Sequence, residues 1–170
     1  MQTFISGIQQ IGVGIPNVKQ AWEWYKKHFG MRVPIFDDAA VTELMLTDTG
    51  GKPQERHAIL AINMQGGGGF EIWQYKKREP QPARFQLQLG DRGIYAGKIK
   101  SRDVQQTYAL FKSRKLNLLS EPTADPAGTP HFYVADPYNN IFDVVSGNSW
   151  FSKTKDLTGG SYGATIGVSD

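Results

Sequence analysis

The feature that most constrains this chain is that it repeats itself. Ile11-Gly12-Val13-Gly14-Ile15-Pro16-Asn17-Val18 and Gly97-Lys98-Ile99-Lys100-Ser101-Arg102-Asp103-Val104 are the same sentence twice. Each is a short segment of β character that runs into a helix-capping residue, Asn17 or Asp103, whose side-chain oxygen can take an otherwise unpaired N–H of the first helical turn. A helical pattern follows both times. Val18, Ala21, Trp22, Tyr25 and Phe29 share one face in the first copy, and Val104, Thr107, Tyr108 and Phe111 share one in the second. Gly30 stops the first helix and Leu116-Asn117 ends the second.

Strands follow each helix. In the first copy they are expected at 32–36, 41–47, 57–63 and 70–75, with turns at Asp37-Asp38, Gly50-Gly51 and Gly66 to Gly69. In the second they are expected at 116–119, 131–135 and 141–145, the last two joined by Asp136 to Asn140. Residues 120–129, rich in Pro, Ala and Gly, read as a loop able to cover an opening. The four-glycine run lacks the Gly-Lys-Ser/Thr ending of a phosphate-binding loop and reads as a flexible hairpin turn. The fold class is therefore α+β, built from two strand–helix–strand–strand–strand (βαβββ) units at about 5–78 and 90–147. Each unit has one sheet face on its helix and the other bare, so two of them can share a core and shape a cleft.

The tail carries a broken third copy, since Ala164 to Asp170 matches Ile11 to Asn17 in pattern. This divides the chain into a domain at 1–147, a linker at 148–160, and at 161–170 the start of a further, truncated unit. A strand with an open edge there can add to another sheet or pair between subunits.

Composition narrows the partners. No cysteine is present, which excludes a disulfide scaffold and thiolate chemistry. The net charge of +3 is spread out apart from Lys76-Lys77-Arg78 and Lys112 to Lys115, and no basic stripe is interleaved with aromatics, so nucleic acid is not an expected partner. No secretory leader and no apolar run long enough for a membrane span is recognised, which makes the cytoplasm the expected location.

Taken in order, Ile8-Gln9-Gln10-Ile11-Gly12-Val13-Gly14-Ile15-Pro16-Asn17 with its helix to Tyr25, then Gly69-Phe70-Glu71-Ile72, then Asp136-Pro137-Tyr138-Asn139-Asn140-Ile141-Phe142-Asp143, resemble the glyoxalase / bleomycin-resistance / dioxygenase group, also called the vicinal oxygen chelate superfamily. The resemblance covers roughly residues 5–146. It implies two paired units forming a cup-shaped sheet with helices outside. In metal-dependent members the first and last strand of each unit carry one ligand each. Here those positions hold Gln10, Glu71, Ala96 and Asp143, leaving three oxygen donors and no histidine. The implied metal set is Gln10, Glu71 and Asp143, for one divalent ion of unspecified identity, with no metal as the alternative.

Strand alternation places the same residues independently of the resemblance. With Ile11, Val13, Phe70, Ile72, Phe142 and Val144 facing the core, Gln10, Glu71, Trp73 and Asp143 face the cup. With Tyr95 and Ile99 packed, Ala96, Lys98 and Lys100 face it too, and His131 and Tyr133 share the face of Asp143. His131 is a candidate substitute ligand or general base, or else a half-exposed strand histidine. Glu71 is the other candidate base. Trp73, Lys98 and Tyr133 are candidate substrate contacts. Lys98 can pair with Glu71 or Asp143 and replace a cation, giving a metal-free site or one for an anionic ligand, or it can point to solvent. His28 lies near a helix end that favours a positive side chain, and His57 follows a charged loop. Two functions follow: a glyoxalase-like lyase or isomerase acting on vicinal oxygens with a metal, or a metal-free small-molecule binder of the bleomycin-resistance type. A dioxygenase is less expected without two histidines. The chain can also be the inert half of a larger protein. A homodimer is a further expectation, and the cup can form within one chain or between two.

Overall fold

A computed structural model describes residues 7–169. The expected start of the first unit at residue 5, and Asp170, lie outside the described residues. The first unit runs β1 (Gln10–Gly14), α1 (Val18–Phe29), β2 (Val33–Thr42), a 3-10 helix (Glu43–Thr49), β3 (Gln54–Ile62) and β4 (Gly69–Tyr75). The second runs β5 (Gly93–Ser101), α2 (Val104–Ser113), β6 (Asn117–Leu118), β7 (Thr123–Ala124), β8 (Pro130–Ala135) and β9 (Ile141–Ser146), and β10 (Thr158–Gly167) follows. The architecture is α+β, two βαβββ units that each form a sheet. The first sheet has the order β1-β4-β3-β2, and the second β10-β5-β9-β8-β6, with β7 beside β8. In both units the first strand lies parallel to the last, β1 on β4 and β5 on β9.

Local chemistry explains the helices. Asn17 accepts from the Gln20 N–H and Asp103 from the Gln106 N–H, so both caps form as the sequence implies. Gly30 ends α1 in the left-handed conformation at φ 69°, where a Cβ is disfavoured. The two units meet through aromatic side chains. Phe70 of β4 stacks on Phe142 of β9 at 5.1 Å, and Phe29 of α1 lies 5.9 Å from Phe111 of α2. Tyr25 of α1 donates its buried hydroxyl to Asp136, which also accepts from the Asn140 side chain and from the N–H groups of Tyr138 and Asn140. The turn before β9 is thereby tied to the helix of the other unit.

Three expectations are corrected. Asp37-Asp38 is not a turn. β2 runs straight through it, because Asp37 is held by Lys19 and His57 and Asp38 lies beside Arg56. The strand expected at 41–47 is mostly the 3-10 helix, since β2 ends at Thr42, whose hydroxyl bonds Gln54 O. The tail strand is longer than its motif. It begins at Thr158, inside the segment read as linker, and pairs antiparallel with β5.

The glycine run 66–69 has a structural use that its composition hid. It seats the start of β10. A Cβ at Gly66 would lie 1.1 Å from Gly159 O, one at Gly68 would lie 2.5 Å from Ser161 O, and one at Gly160 would lie 2.2 Å from Gly68 O. Only bare backbone fits such an approach. Around it, Asn63 Nδ2 donates to Phe29 O and Thr158 O, and Gln65 Nε2 donates to Asp156 O and Thr158 O. Arg32 grips Asp156 with two nitrogens. The segment 148–161 therefore straps the two units together. Among the described residues no helix is long and apolar enough to cross a membrane.

Candidate functional site

The candidate residues fall in two groups, one on each sheet. On the first sheet, Gln10 Nε2 donates to Glu71 Oε2 at 2.8 Å. Gly12, not Gln10, is the Cα partner of Glu71, so the longer side chains reach diagonally across β1 and β4. Trp73 lies two residues along β4 and takes the Arg56 guanidinium at 5.1 Å from its ring centre.

On the second sheet, Asp143 is at the centre. Its side chain is 2% exposed, and its Oδ1 lies 2.8 Å from His131 Nδ1. Lys98 Nζ is 3.5 Å from Oδ2. The register explains the meeting, because Lys98 is opposite Asp143 across β5–β9 and Tyr133 is opposite it across β9–β8. With Asp143 ionised, the imidazole donates from Nδ1, and Nε2 is left with no hydrogen-bond partner among the described residues. Burial, and then the charge of Asp143, hold the Tyr133 hydroxyl above its ordinary pKa.

Among the described residues no hydrogen bond or ion pair joins the Gln10–Glu71 pair to the Lys98–Asp143–His131 cluster. Among the described residues no group of three or more His, Cys, Asp or Glu is placed to hold a metal. The donor set does not suit one. Ala96, at the third position, is 1% exposed and brings no donor atom. The last carboxylate, Asp143, already faces an ammonium, which opposes a divalent cation at the same oxygens.

A hollow of about 460 Å³ opens on the second sheet beside this cluster. Lys98 and Val145 line it from β5 and β9, and Tyr162 does so from β10. Asp125, Gly128 and Thr129 come from the loop that was expected to cover an opening, Pro130 from the start of β8, Ser146 from the end of β9, and Asn148 from the segment after it. Asp125, Asn148 and Tyr162 carry no motif, and only the β10 pairing and the loop's fold bring them here. Tyr95 is a further correction. It was read as packed with Ile99, yet its ring meets Tyr133 at 6.1 Å. Ala96 pairs with Thr165 and Ile94 with Ile166, so Tyr95 is the extra residue of a bulge, and a bulge re-aims side chains. Lys100, expected on the cup face, is 6% exposed with Nζ on Ser149 O, under the rings of Trp150 and Tyr162. His57 is engaged with Asp37. His28 is not the positive helix-end residue its position implies. It is buried, and desolvation, then Arg114 and Lys27, lower its pKa to about 4.

The fold has counterparts. The family described as Glyoxalase/Bleomycin resistance protein/Dioxygenase superfamily matches residues 7–144, and the chain belongs to it. Among solved structures, a glyoxalase family protein from Bacillus cereus is 9% identical with a TM-score of 0.64, over 85% of this chain and 96% of that one. Glyoxalase I from Zea mays is 14% identical with a TM-score of 0.59, over 84% of this chain and 45% of that one. TioX from Micromonospora sp. ML1 is 12% identical with a TM-score of 0.52, over 83% of this chain and 98% of that one. At such identities the likeness is one of fold. No curated protein matches the chain.

Proposed function

We propose that this chain is a metal-independent small-molecule-binding protein of the superfamily, acting in the cytoplasm, with its ligand seated in the hollow of the second sheet. The observation that carries this reading is the Lys98 ammonium 3.5 Å from Asp143, where a metal would need that carboxylate. Lys98 then joins the hollow to the buried Asp143, which holds the His131 imidazole in one orientation. Titration calorimetry with manganese and zinc tests it. The wild-type protein should take up neither, whereas Ala96→His combined with Lys98→Ala restores a donor, removes the competing charge and should bind zinc at micromolar strength or tighter. Wild-type protein that binds either ion as tightly as the double variant would overturn the reading.

A second reading is favoured by the Gln10–Glu71 contact at the two expected ligand positions of the first unit. It is a metal-dependent lyase or isomerase whose site forms between two protomers, with Gln10 and Glu71 of one chain facing Asp143 of another, Glu71 as base, and Trp73 beside it. This reading requires a homodimer, and it predicts that Glu71→Gln loses metal and activity together.

A further inference from the structure

The wall of the hollow says what kind of guest it can hold. Six of its side chains are polar: Lys98, Asp125, Thr129, Ser146, Asn148 and Tyr162. A mostly apolar guest would leave these groups unpaired, which a binding site does not tolerate. The charges narrow the class further. Lys98 is committed to Asp143. Lys100 is committed to the Ser149 carbonyl, and Arg102 donates to Ser152 O and lies on the Trp150 ring. Among the described residues that line the hollow, an anionic guest therefore meets no uncommitted ammonium or guanidinium. Asp125 is the opposite case. Its Oδ1 accepts the N–H groups of Ala127 and Thr129, and Oδ2 has no partner among the described residues. Those backbone bonds, Thr129 first, hold the carboxyl below the usual carboxylate range, so the free oxygen is anionic at neutral pH. Tyr162 adds an aromatic surface, 43% exposed, together with a hydroxyl.

We propose that the hollow binds a small, hydroxyl-rich molecule carrying a protonated amine. The ammonium sits on Asp125 Oδ2, the hydroxyls bond Thr129, Ser146 and Asn148, and the carbon skeleton lies against the Tyr162 ring. This rests on the metal-independent reading of the same site. Three of the contacts, Ser146, Asn148 and Tyr162, lie beyond residue 144, where the match to the family ends, whereas Asp125 and Thr129 lie within it.

The test is a titration of isotope-labelled protein with D-glucosamine, D-glucose and acetate, followed by amide chemical shifts. Glucosamine should shift the amides of Lys98, Asp125, Ser146, Asn148 and Tyr162. Glucose should bind about tenfold more weakly for want of the charge, and acetate should shift none of them. Asp125→Asn keeps the Oδ1 acceptor and so the turn. It should bring glucosamine down to the level of glucose, while Tyr162→Ala weakens both sugars. Glucosamine that leaves these amides unmoved, or acetate that matches it, overturns the proposal. If that happens while the wild-type protein still refuses manganese and zinc, only the ligand class falls and the metal-independent reading stands.

Discussion

The Tyr25–Asp136 contact shows how single side chains join the two units. Its hydroxyl is buried, and burial together with the Asp136 charge keeps it protonated far above the ordinary tyrosine range. Removing a hydrogen bond to a buried charged group costs about 1.5–3 kcal/mol. Tyr25→Phe should therefore lower stability by about 2 kcal/mol in a urea melt, with an unchanged slope. His28 makes a prediction about pH. Its Nδ1 is buried without a partner among the described residues, and its pKa is lowered from 6.5 to about 4. A depressed histidine pKa means that the folded state prefers the neutral ring. Its contribution is full above the unfolded value and is lost as pH falls from about 6.5 towards about 4. The loss should be on the order of 2 kcal/mol, allowing for partial hydration. His28→Leu should flatten that part of the stability–pH curve, and an unchanged curve would assign the acid sensitivity elsewhere.

Among the elements, the strap is the part that depends most on backbone shape. Gly66→Ala puts a methyl where Gly159 O already sits, so β10 must move. Hydrogen exchange at 158–163 should accelerate strongly in this variant, and stability should fall by about 2 kcal/mol or more. Gly12→Ala, whose Cβ meets nothing within 4 Å, is the matched control and should leave both unchanged. The same contrast explains what could be read in advance. Asn17, Gly30 and Asp103 act within a few residues, so both helix starts and the end of α1 were legible, whereas α2 ends at Ser113, before the expected Leu116-Asn117. The Asp37–Lys19–His57 contact and the Gly66–Gly159 approach join residues far apart in sequence. No local pattern encodes them: a turn was read in place of the first, and the second is a further use of the Gly66–Gly69 segment, which does form the hairpin connection from β3 to β4. Tyr95 was misplaced because one bulge reverses the alternation that correctly grouped Lys98, His131, Tyr133 and Asp143.

At the scale of the whole molecule, the duplication fixed which residues face away from the core. It did not fix which of those faces meet. That is decided by the aromatic contacts between the units, Phe70 with Phe142 and Phe29 with Phe111, and by β10 along β5. The outcome is two polar groups on two sheets, one with an amide on a carboxylate and one with an ammonium on a carboxylate. Under the proposed function the second of these works without a metal. The most direct measurement is the metal content of protein purified without chelators, read by elemental mass spectrometry. Divalent ions are expected at a small fraction of the chain concentration, unchanged by Glu71→Gln. A content of about one ion per chain, as a closed protein site would hold, and lost in Glu71→Gln, would contradict it.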